Sequence, residues 1–274
     1  MLNLIRSDIY KMIKMKSFYV IMIVMFLAVF SSTFFTKISS QFVYQAEDSF
    51  EEGEKEDLQD AAETEESKKE FVKKFTSLST LYKGMISGLS LALFILIFAV
   101  LFSTSDFNSG YIKNIGGKLK HKLYFVFSKA ISLSLYVIIM FASCFVFQVI
   151  SNLIFTQNFY IEKPADFVKY VSVQIVLHIA ISLSIMMVAL ILRSSLFSMI
   201  IAVLVSSGTP ALIYELLNVL IHEMINIEVD LTKYSVVFRI MAETKPVHSI
   251  ILALCYITFS MVASCLFFQR RDMA

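Results

Sequence analysis

The sequence predicts an all-α integral membrane protein with six transmembrane helices. Hydrophobic residues make up 57% of the 274 positions and only 17% are charged. A soluble domain of this length needs more charge, because its surface must face water. The charges are also clustered, so that long stretches carry none. These stretches are continuously apolar rather than alternating, which favours helices over half-buried strands.

Length identifies the stretches that can cross a bilayer. A helix needs roughly 20 apolar residues to cross the hydrocarbon core, where it satisfies its own backbone hydrogen bonds. The expected spans, in a single transmembrane domain of residues 1–274, are 17–36, 84–105, 130–152, 170–192, 195–220 and 247–268. The first stretch is too long for a signal peptide and no small-residue cleavage site follows it. We therefore interpret it as a retained span.

The placement of lysine and arginine predicts that both termini are cytoplasmic. Six crossings put both termini on one side, and that side carries twelve Lys and Arg residues against three acids. The other side carries twelve Lys and Arg residues against nineteen acids. Cytoplasmic segments of membrane proteins are enriched in Lys and Arg. The termini are therefore expected inside.

Three polar segments flank the spans. Residues 1–16 carry apolar side chains at helical spacing with cations between them, which predicts an amphipathic interfacial helix; the alternative is a simple cytoplasmic flank. Segment 37–83 is acidic and contains Glu–Lys pairs at i,i+4 spacing, so we expect a helical extracellular excursion. Its charge indicates either a solvated surface or contact with a cationic substrate or partner. Segment 106–129 is a basic, glycine-containing cytoplasmic loop.

Two short segments resemble catalytic motifs, but each lacks a residue that the motif requires. Gly117-Lys118 is followed by Leu119, where a phosphate-binding loop needs Ser or Thr to hold magnesium. His222-Glu223 resembles the start of a zinc-protease motif, but Asn226 stands where the second His is required. The sequence also presents no Ser-His, Cys-His or paired-carboxylate arrangement. We therefore expect no enzyme activity, metal ion or cofactor in this chain.

Few residues inside the spans are candidates for function. His178 stands alone on an apolar background, either as a packing residue that links helices or as a proton-transfer group. Glu215 is a pathway candidate, because acids inside a membrane are costly and usually face a cavity; the alternative is an interfacial carboxylate. Pro210 should interrupt or kink the fifth span, since proline removes a backbone donor and clashes with the preceding turn.

Small residues recur every fourth position in two spans. They are Gly84, Gly88 and Ala92 in the second span, and Ser198, Ala202 and Ser206 in the fifth. Such stripes let helices approach closely. They indicate either contacts inside the chain or a dimer interface.

The loop after the second span carries a short motif. It reads Asp106-Phe107-Asn108-Ser109-Gly110-Tyr111-Ile112-Lys113-Asn114. With this motif, the basic amphipathic N-terminus, the enlarged outer loop and Lys129 opening the third span, the chain resembles the permease subunit of a bacterial type-2 ABC exporter. Permeases of this family commonly have an acid, then a glycine, then a hydrophobic residue followed by Lys-Asn at this place. The resemblance covers the whole chain by topology.

The resemblance implies two permease chains, identical or homologous, that form the pathway. It implies a coupling helix within 106–122 that docks on a separate ATPase, present in two copies, which binds ATP and Mg. The residues implied for coupling are Asp106, Phe107, Ser109, Gly110, Lys113 and Asn114. The residues implied for dimer packing are Ser198, Ala202 and Ser206. The broken fifth span is similar to the outer re-entrant helices of the family.

The resemblance also implies export across the bacterial cytoplasmic membrane by alternating access. Substrates of small bacterial members include antimicrobial or cytolytic peptides, antibiotics and lipid-linked molecules, and the acidic outer loop favours a cationic amphipathic peptide. Membrane lipid is the other expected partner, and nucleic acid is not expected. One alternative is a proton-coupled secondary transporter or membrane sensor that uses His178 and Glu215. The other, a membrane-embedded enzyme, is disfavoured by the missing catalytic constellation.

Overall fold

The structure is a computed structural model that describes residues 2–51, 73–108, 110, 123–225, 230–242 and 246–270. Every regular element in these ranges is helical. The principal helices are α1 (Leu2–Lys14), α2 (Lys16–Glu51), α3 (Leu78–Ser87), α4 (Ser90–Asn108), α5 (Leu123–Phe155), α6 (Pro164–Leu192), α7 (Ser195–Ser206), α8 (Thr209–Ile225), α9 (Val236–Met241) and α10 (Pro246–Arg270), with a 3₁₀ turn at Leu231–Tyr234.

Within the described residues, five helices are long and apolar enough to cross a membrane. They are Lys16–Phe42, Ser90–Phe107, Leu123–Phe155, Pro164–Leu192 and Pro246–Gln269. The pair α7 and α8 meets the same criterion together, although the two helices are bent by 68° at a short break. The prediction of an all-helical, multi-pass membrane protein is therefore confirmed. The described residues provide five candidate spans, or six when the bent pair is taken as one.

Helix α6 lies at the centre of the bundle. It packs against α4, α5, α7, α9 and α10, while α2 packs mainly against α5. In the most apolar stretch of each helix, 67% of the residues are buried in α4, 28% in α2 and 17% in α10. Helices α4 and α6 therefore form the interior, and α2 and α10 lie at the rim, with apolar sides that the described chain leaves uncovered.

Helix α2 continues past the predicted end of the first span at residue 36 and ends at Glu51. The expected helical excursion 37–83 thus begins as an extension of α2. It rejoins the bundle through α3. Residues 52–72, which include most of its acidic middle, lie outside the described residues.

The second span begins later than predicted, because the helix is interrupted before it. Between α3 and α4, Leu89 has a φ of 59°, in the left-handed region that residues other than glycine rarely adopt. The N–H of Gly88 caps α3 by donating to the carbonyl of Gly84. Gly84 and Ala92 therefore lie on different helices. The predicted stripe of small residues is not continuous in the second span.

The fifth span is interrupted, as expected, but Gly208 rather than Pro210 makes the break. Gly208 has a φ of 81°, which ends α7 in a left-handed conformation. Pro210 lies in the first turn of α8, where its missing N–H has no helical partner to lose. A Cβ on Gly208 would lie 3.7 Å from the Leu89 side chain and 3.8 Å from Met241. The breaks before α4 and after α7 therefore touch each other.

Candidate functional site

Three elements meet at one end of the bundle: α1, the last turns of α4 and the first turns of α5. We call the polar residues that they enclose there the charge network. Its members are Asp8 and Lys11 from α1, Asp106 from α4, and Ser128 and Lys129 from α5. Asp8, Asp106 and Lys129 are at most 1% exposed. Charged side chains are rarely buried to this degree unless they are paired.

Asp106 and Lys129 form the centre of the charge network. Lys129 Nζ lies 2.6 Å from Asp106 Oδ2 and donates to the backbone carbonyl of Phe102 at 3.1 Å. The same ammonium lies 4.1 Å from the centre of the Phe102 ring and 5.3 Å from that of Phe125. These aromatic faces attract the cation and replace part of its lost hydration.

Lys11 connects this ion pair to α1. Its Nζ is bonded to Asp106 Oδ1, so that one carboxylate holds a lysine from α1 and a lysine from α5. Burial, followed by the nearby Lys129 ammonium, lowers the pKa of Lys11 to about 8, and the Asp8 carboxylate opposes that shift. Lys11 is therefore mostly protonated at neutral pH, and the ion pair persists there.

Asp8 provides a second link between α1 and α5. Ser128 Oγ donates to Asp8 Oδ2 at 2.5 Å. The other carboxylate oxygen, Oδ1, is buried and has no hydrogen-bond donor in the described part of the chain. The charges of Lys11 and Lys129 act on this carboxylate. Asp8 is thus held by one hydrogen bond and by the field of the two lysines.

The charge network ties α1, α4 and α5 into one unit. Its two acids and two lysines balance, so the site buries no net charge. Helix α4 ends at Asn108 and α5 begins at Leu123, which places the network at both ends of the loop 109–122. Removing one member of a buried ion pair typically costs about 3–5 kcal/mol. The network therefore joins the three helices beside the segment 109–122.

Only some of the residues predicted for coupling belong to the part of the chain that the structure describes. Asp106 is the centre of the charge network, and the Phe107 ring lies 5.4 Å from the guanidinium of Arg193. Gly110 has a φ of 67° and open space around the position of a Cβ. Outside the described residues lie Ser109, Lys113 and Asn114, together with most of the segment 106–122 in which a coupling helix is expected.

Helix α5 carries a second polar cluster near its other end, about 28 Å along the helix from the lysine of the charge network. Gln148 Nε2 donates to Thr33 Oγ1 at 2.9 Å and to Asn152 Oδ1 at 2.8 Å. Asn152 donates to the carbonyl of Asn158 at 2.9 Å, and Asn158 donates to Thr76 Oγ1 at 3.2 Å. We call these five residues the amide cluster. All of them are uncharged.

The three predicted pathway residues do not form one site. His178 is buried in α6, where Nδ1 lies 2.8 Å from the carbonyl oxygen of Gln174 and the ring meets Phe141 edge-on. Glu215 is exposed on α8, and Pro210 is partly buried at the start of that helix. His178 thus has the surroundings of a packing residue. Glu215 has those of a surface carboxylate.

The small residues of α7 face into the protein. Ser198 and Ala202 are fully buried and Ser206 is 8% exposed, and α7 packs against α4 and α6. Of the two interpretations of this stripe, the contact inside the chain agrees with the burial. A dimer contact through these three side chains does not, because the chain itself encloses them. The exposed apolar side chains of α7 are Leu196, Phe197, Ile200, Val203 and Leu204.

The contribution of α1 to the charge network was not predicted from the sequence. Helix α1 turns Asp8 and Met12 into the protein, while Leu2 and Ile13 are exposed. The buried side of α1 thus combines one apolar and one charged residue, which an apolar periodicity alone does not predict. The available signal was Asp8, the only acid among the cations of residues 1–16.

Two comparisons with known proteins identified no relative of this chain. No protein-family model matches the chain, and no curated protein matches it in sequence. Among the described residues, no three His, Cys, Asp or Glu side chains are grouped so that they could hold a metal ion. The function of the chain is therefore inferred from its own residues and their geometry.

Proposed function

We propose that this chain is the permease subunit of an ATP-driven ABC exporter of the bacterial cytoplasmic membrane, with both termini cytoplasmic. The observation that carries this proposal is the charge network. It joins the N-terminal helix to both helices that flank the loop 109–122. In the proposal, two copies of a separate ATPase bind ATP and Mg, hydrolyse ATP and dock on this loop.

A docking loop transmits motion only where it is tied to the spans. Asp106 is bonded to Lys11 of α1 and to Lys129 of α5, and these bonds lie in a buried environment that strengthens them. Motion imposed on the loop therefore reaches α1, α4 and α5 as one body. Helix α6 packs on both α4 and α5, so it is the next element to respond. This rigid-body movement suits alternating access.

The proposed substrate is an amphipathic molecule such as an antimicrobial or cytolytic peptide, an antibiotic or a lipid-like compound. A second permease chain, identical or homologous, completes the pathway. The apolar faces that α2 and α7 leave exposed are available to that chain or to lipid. The acidic segment 37–83 favours a cationic substrate at the outer side.

The alternative is a proton-coupled secondary transporter or a sensor that uses His178 and Glu215. These residues would have to lie on one path. In the structure His178 is enclosed beside Phe141, whereas Glu215 is exposed on α8. The alternative therefore lacks a shared site for its two ionisable groups.

Copurification tests the proposed function. The tagged full-length chain, extracted from its host membrane in mild detergent, should retain an ATPase, and the complex should hydrolyse ATP. Charge reversal in the loop by Lys113→Glu should weaken ATPase binding by roughly tenfold, because it removes attraction at a charged docking surface. The matched control is Lys163→Glu, which makes the same change at an exposed lysine before α6, at the opposite end of the bundle.

Three results would contradict the proposal. They are the absence of any bound ATPase, equal ATPase binding by the Lys113→Glu and wild-type chains, and hydrolysis that does not respond to the chain. Proton-driven flux through the chain reconstituted alone would support the secondary transporter instead.

A further inference from the structure

The end of the bundle opposite the charge network contains a pocket of about 330 Å³. Its walls come from α3, α6, α9 and the start of α10. The polar residues that line it include three cations, one carboxylate and one buried amide: Lys83, Lys169, Arg239, Asp166 and Gln174. None of these residues belongs to the charge network or the amide cluster.

The lining gives the pocket a positive character. Lys169 is exposed and has no ion-pair partner in the described part of the chain. Arg239 uses its Nε to donate to the carbonyl of Lys233 at 2.9 Å, which orients the guanidinium. Among the described residues its terminal nitrogens have no acceptor, so they can bind one from a ligand. A guanidinium in this state presents a planar pair of donors that fits a phosphate or a carboxylate.

Two helices begin at the pocket and add to this positive character. Asp166 lies in the first turn of α6, and Pro246 and Ser249 lie in the first turn of α10. The N-terminus of a helix carries a partial positive charge and N–H groups without helical partners. Both helix dipoles therefore favour an anion at the same place as the three cations.

Gln174 supplies a different kind of group. This side chain is 2% exposed, and its Nε2 donates to the carbonyl of Ile240 at 3.2 Å. Its Oε1 is left without a donor among the described residues. A buried carbonyl oxygen without a donor costs free energy. A ligand hydroxyl or ammonium that reaches this oxygen would supply the missing bond.

We propose that this pocket binds a small anionic group, a phosphate or a carboxylate, on a molecule that also carries a hydroxyl or ammonium donor. The cations and helix N-termini hold the anion, Gln174 accepts from the donor, and Tyr170 and Val173 form an apolar wall. Anionic lipid head groups and small phosphorylated solutes share this chemistry. The inference is independent of the proposed function, because it concerns binding at the end of the bundle far from the ATPase-docking loop.

Binding to the purified full-length chain tests the inference with two probes. Glycerol 3-phosphate, added in detergent, represents a soluble ligand with a phosphate and hydroxyl groups. Phosphatidylglycerol, compared with phosphatidylcholine in nanodiscs and detected by native mass spectrometry, represents the lipid head group. The double variant Lys169→Gln with Arg239→Gln should lower the affinity for the responding probe by at least about tenfold, because it removes two charge-assisted contacts.

Two controls separate the pocket from general surface charge. Lys163→Gln removes an exposed cation just before α6, outside the pocket lining, and should leave the affinity unchanged. Lys169→Arg keeps the charge and should bind within about twofold of the wild type. Thermal unfolding confirms that each variant is folded. If the double variant does not fold, the single change Lys169→Gln at an exposed residue replaces it.

The outcomes decide both the existence of the site and the source of its ligand. Binding of glycerol 3-phosphate that the double variant weakens identifies a site for a soluble anion. Retention of phosphatidylglycerol alone, weakened in the same way, identifies a lipid head-group site. Both results support the proposal. A chain that binds no glycerol 3-phosphate and also retains the two lipids equally would overturn the proposal. An affinity for the responding probe that the double variant does not change would overturn it as well.

Discussion

The two ends of α5 are joined to their neighbours by different chemistry. At one end the charge network joins two carboxylates and two lysines from three helices, and all of these except the partly exposed Lys11 are buried. At the other end the amide cluster links α2, α5 and the segments around residues 76 and 158 through neutral amides and hydroxyls. A buried ion costs several kcal/mol of desolvation that only well-placed partners offset, whereas a neutral hydrogen bond contributes about 1 kcal/mol.

This difference indicates which end of the bundle must stay rigid. A buried ion pair has a steep penalty for separation, so the charge network keeps α1, α4 and α5 in one arrangement. The opposite end is held by weaker bonds and also contains the helix breaks at Leu89 and Gly208. We infer that the spans move as a unit at the charge network and adjust to one another at the opposite end.

Lys129→Met should give the largest effect. It leaves the buried Asp106 with Lys11 alone and removes the bond to the carbonyl of Phe102, so the free energy of unfolding should fall by about 3–5 kcal/mol. Thermal unfolding in detergent measures the change. Lys16→Met, at an exposed lysine, should alter it by less than about 0.5 kcal/mol. Equal losses in the two variants would show that the charge network has no special contribution.

Ser128→Ala should have the next largest effect. It removes the hydrogen bond that Asp8 accepts from Ser128 and leaves both oxygens of a buried carboxylate without a donor among the described residues, which should cost about 1–3 kcal/mol. The matched control is Ser134→Ala on the same helix, whose hydroxyl donates to the Ala130 carbonyl one turn earlier. Denaturant unfolding compares them. A loss no greater in Ser128→Ala than in the control would contradict the assigned role of Asp8.

Gln148→Leu tests the amide cluster with a side chain of similar size. It removes the bonds to Thr33 and Asn152, and the free energy of unfolding should fall by about 1 kcal/mol. ATPase coupling, measured in the copurified complex, should stay at the wild-type level. A loss of stability as large as that of Lys129→Met would remove the distinction between the two ends.

Gly208→Ala should lower the free energy of unfolding by no more than Gln148→Leu does, because backbone strain is its only cost. The new Cβ would meet Leu89 and Met241 at ordinary contact distances, but a φ of 81° disfavours alanine by about 1 kcal/mol. Gly84→Ala is the control, and its effect on stability should be in the opposite direction. Its Cβ meets nothing within 4 Å inside a helix, so it should stabilise the chain by about 0.4–1 kcal/mol. The same sign in both variants would contradict the conformational explanation.

Apolar length predicted where the long apolar helices lie, because bilayer thickness sets the length of such stretches. The stretch expected at 170–192 lies in the helix Pro164–Leu192, and the one expected at 247–268 lies in Pro246–Gln269, whereas the one expected at 84–105 begins before the apolar helix Ser90–Phe107. The ends of helices outside the hydrocarbon were harder to predict. Hydropathy does not mark the point where α2 stops, because a helix continues into water wherever its local bonds allow.

The two helix breaks differ in how well the sequence predicts them. Pro210 predicts an interruption in the fifth span, since proline disfavours a continuous helix, and the structure places the break two residues earlier, at Gly208. Leu89 gives no comparable signal, because leucine is a good helix former. Its left-handed conformation is held by packing, since the side chain is 4% exposed and lies close to Gly208.

The residues of the charge network also differ in how far the sequence reveals them. Asp106 and Lys129 stand out in the sequence because each is a charge beside an apolar stretch. The contacts with α1 are not evident in the sequence, since Lys11 is 95 residues from Asp106 and Ser128 is 120 residues from Asp8. The small residues of α7 are evident as a stripe, but sequence leaves their partner open, and burial shows a contact within the chain.

The sequence by itself determined that this protein is helical, crosses a membrane several times and carries a basic, glycine-containing loop between two spans. These properties follow from local composition, because the bilayer acts on each apolar stretch separately. Only the tertiary structure decided which charges meet, which faces are enclosed and where a positively charged pocket forms. Those properties depend on contacts between helices distant in sequence, whose packing local composition does not specify.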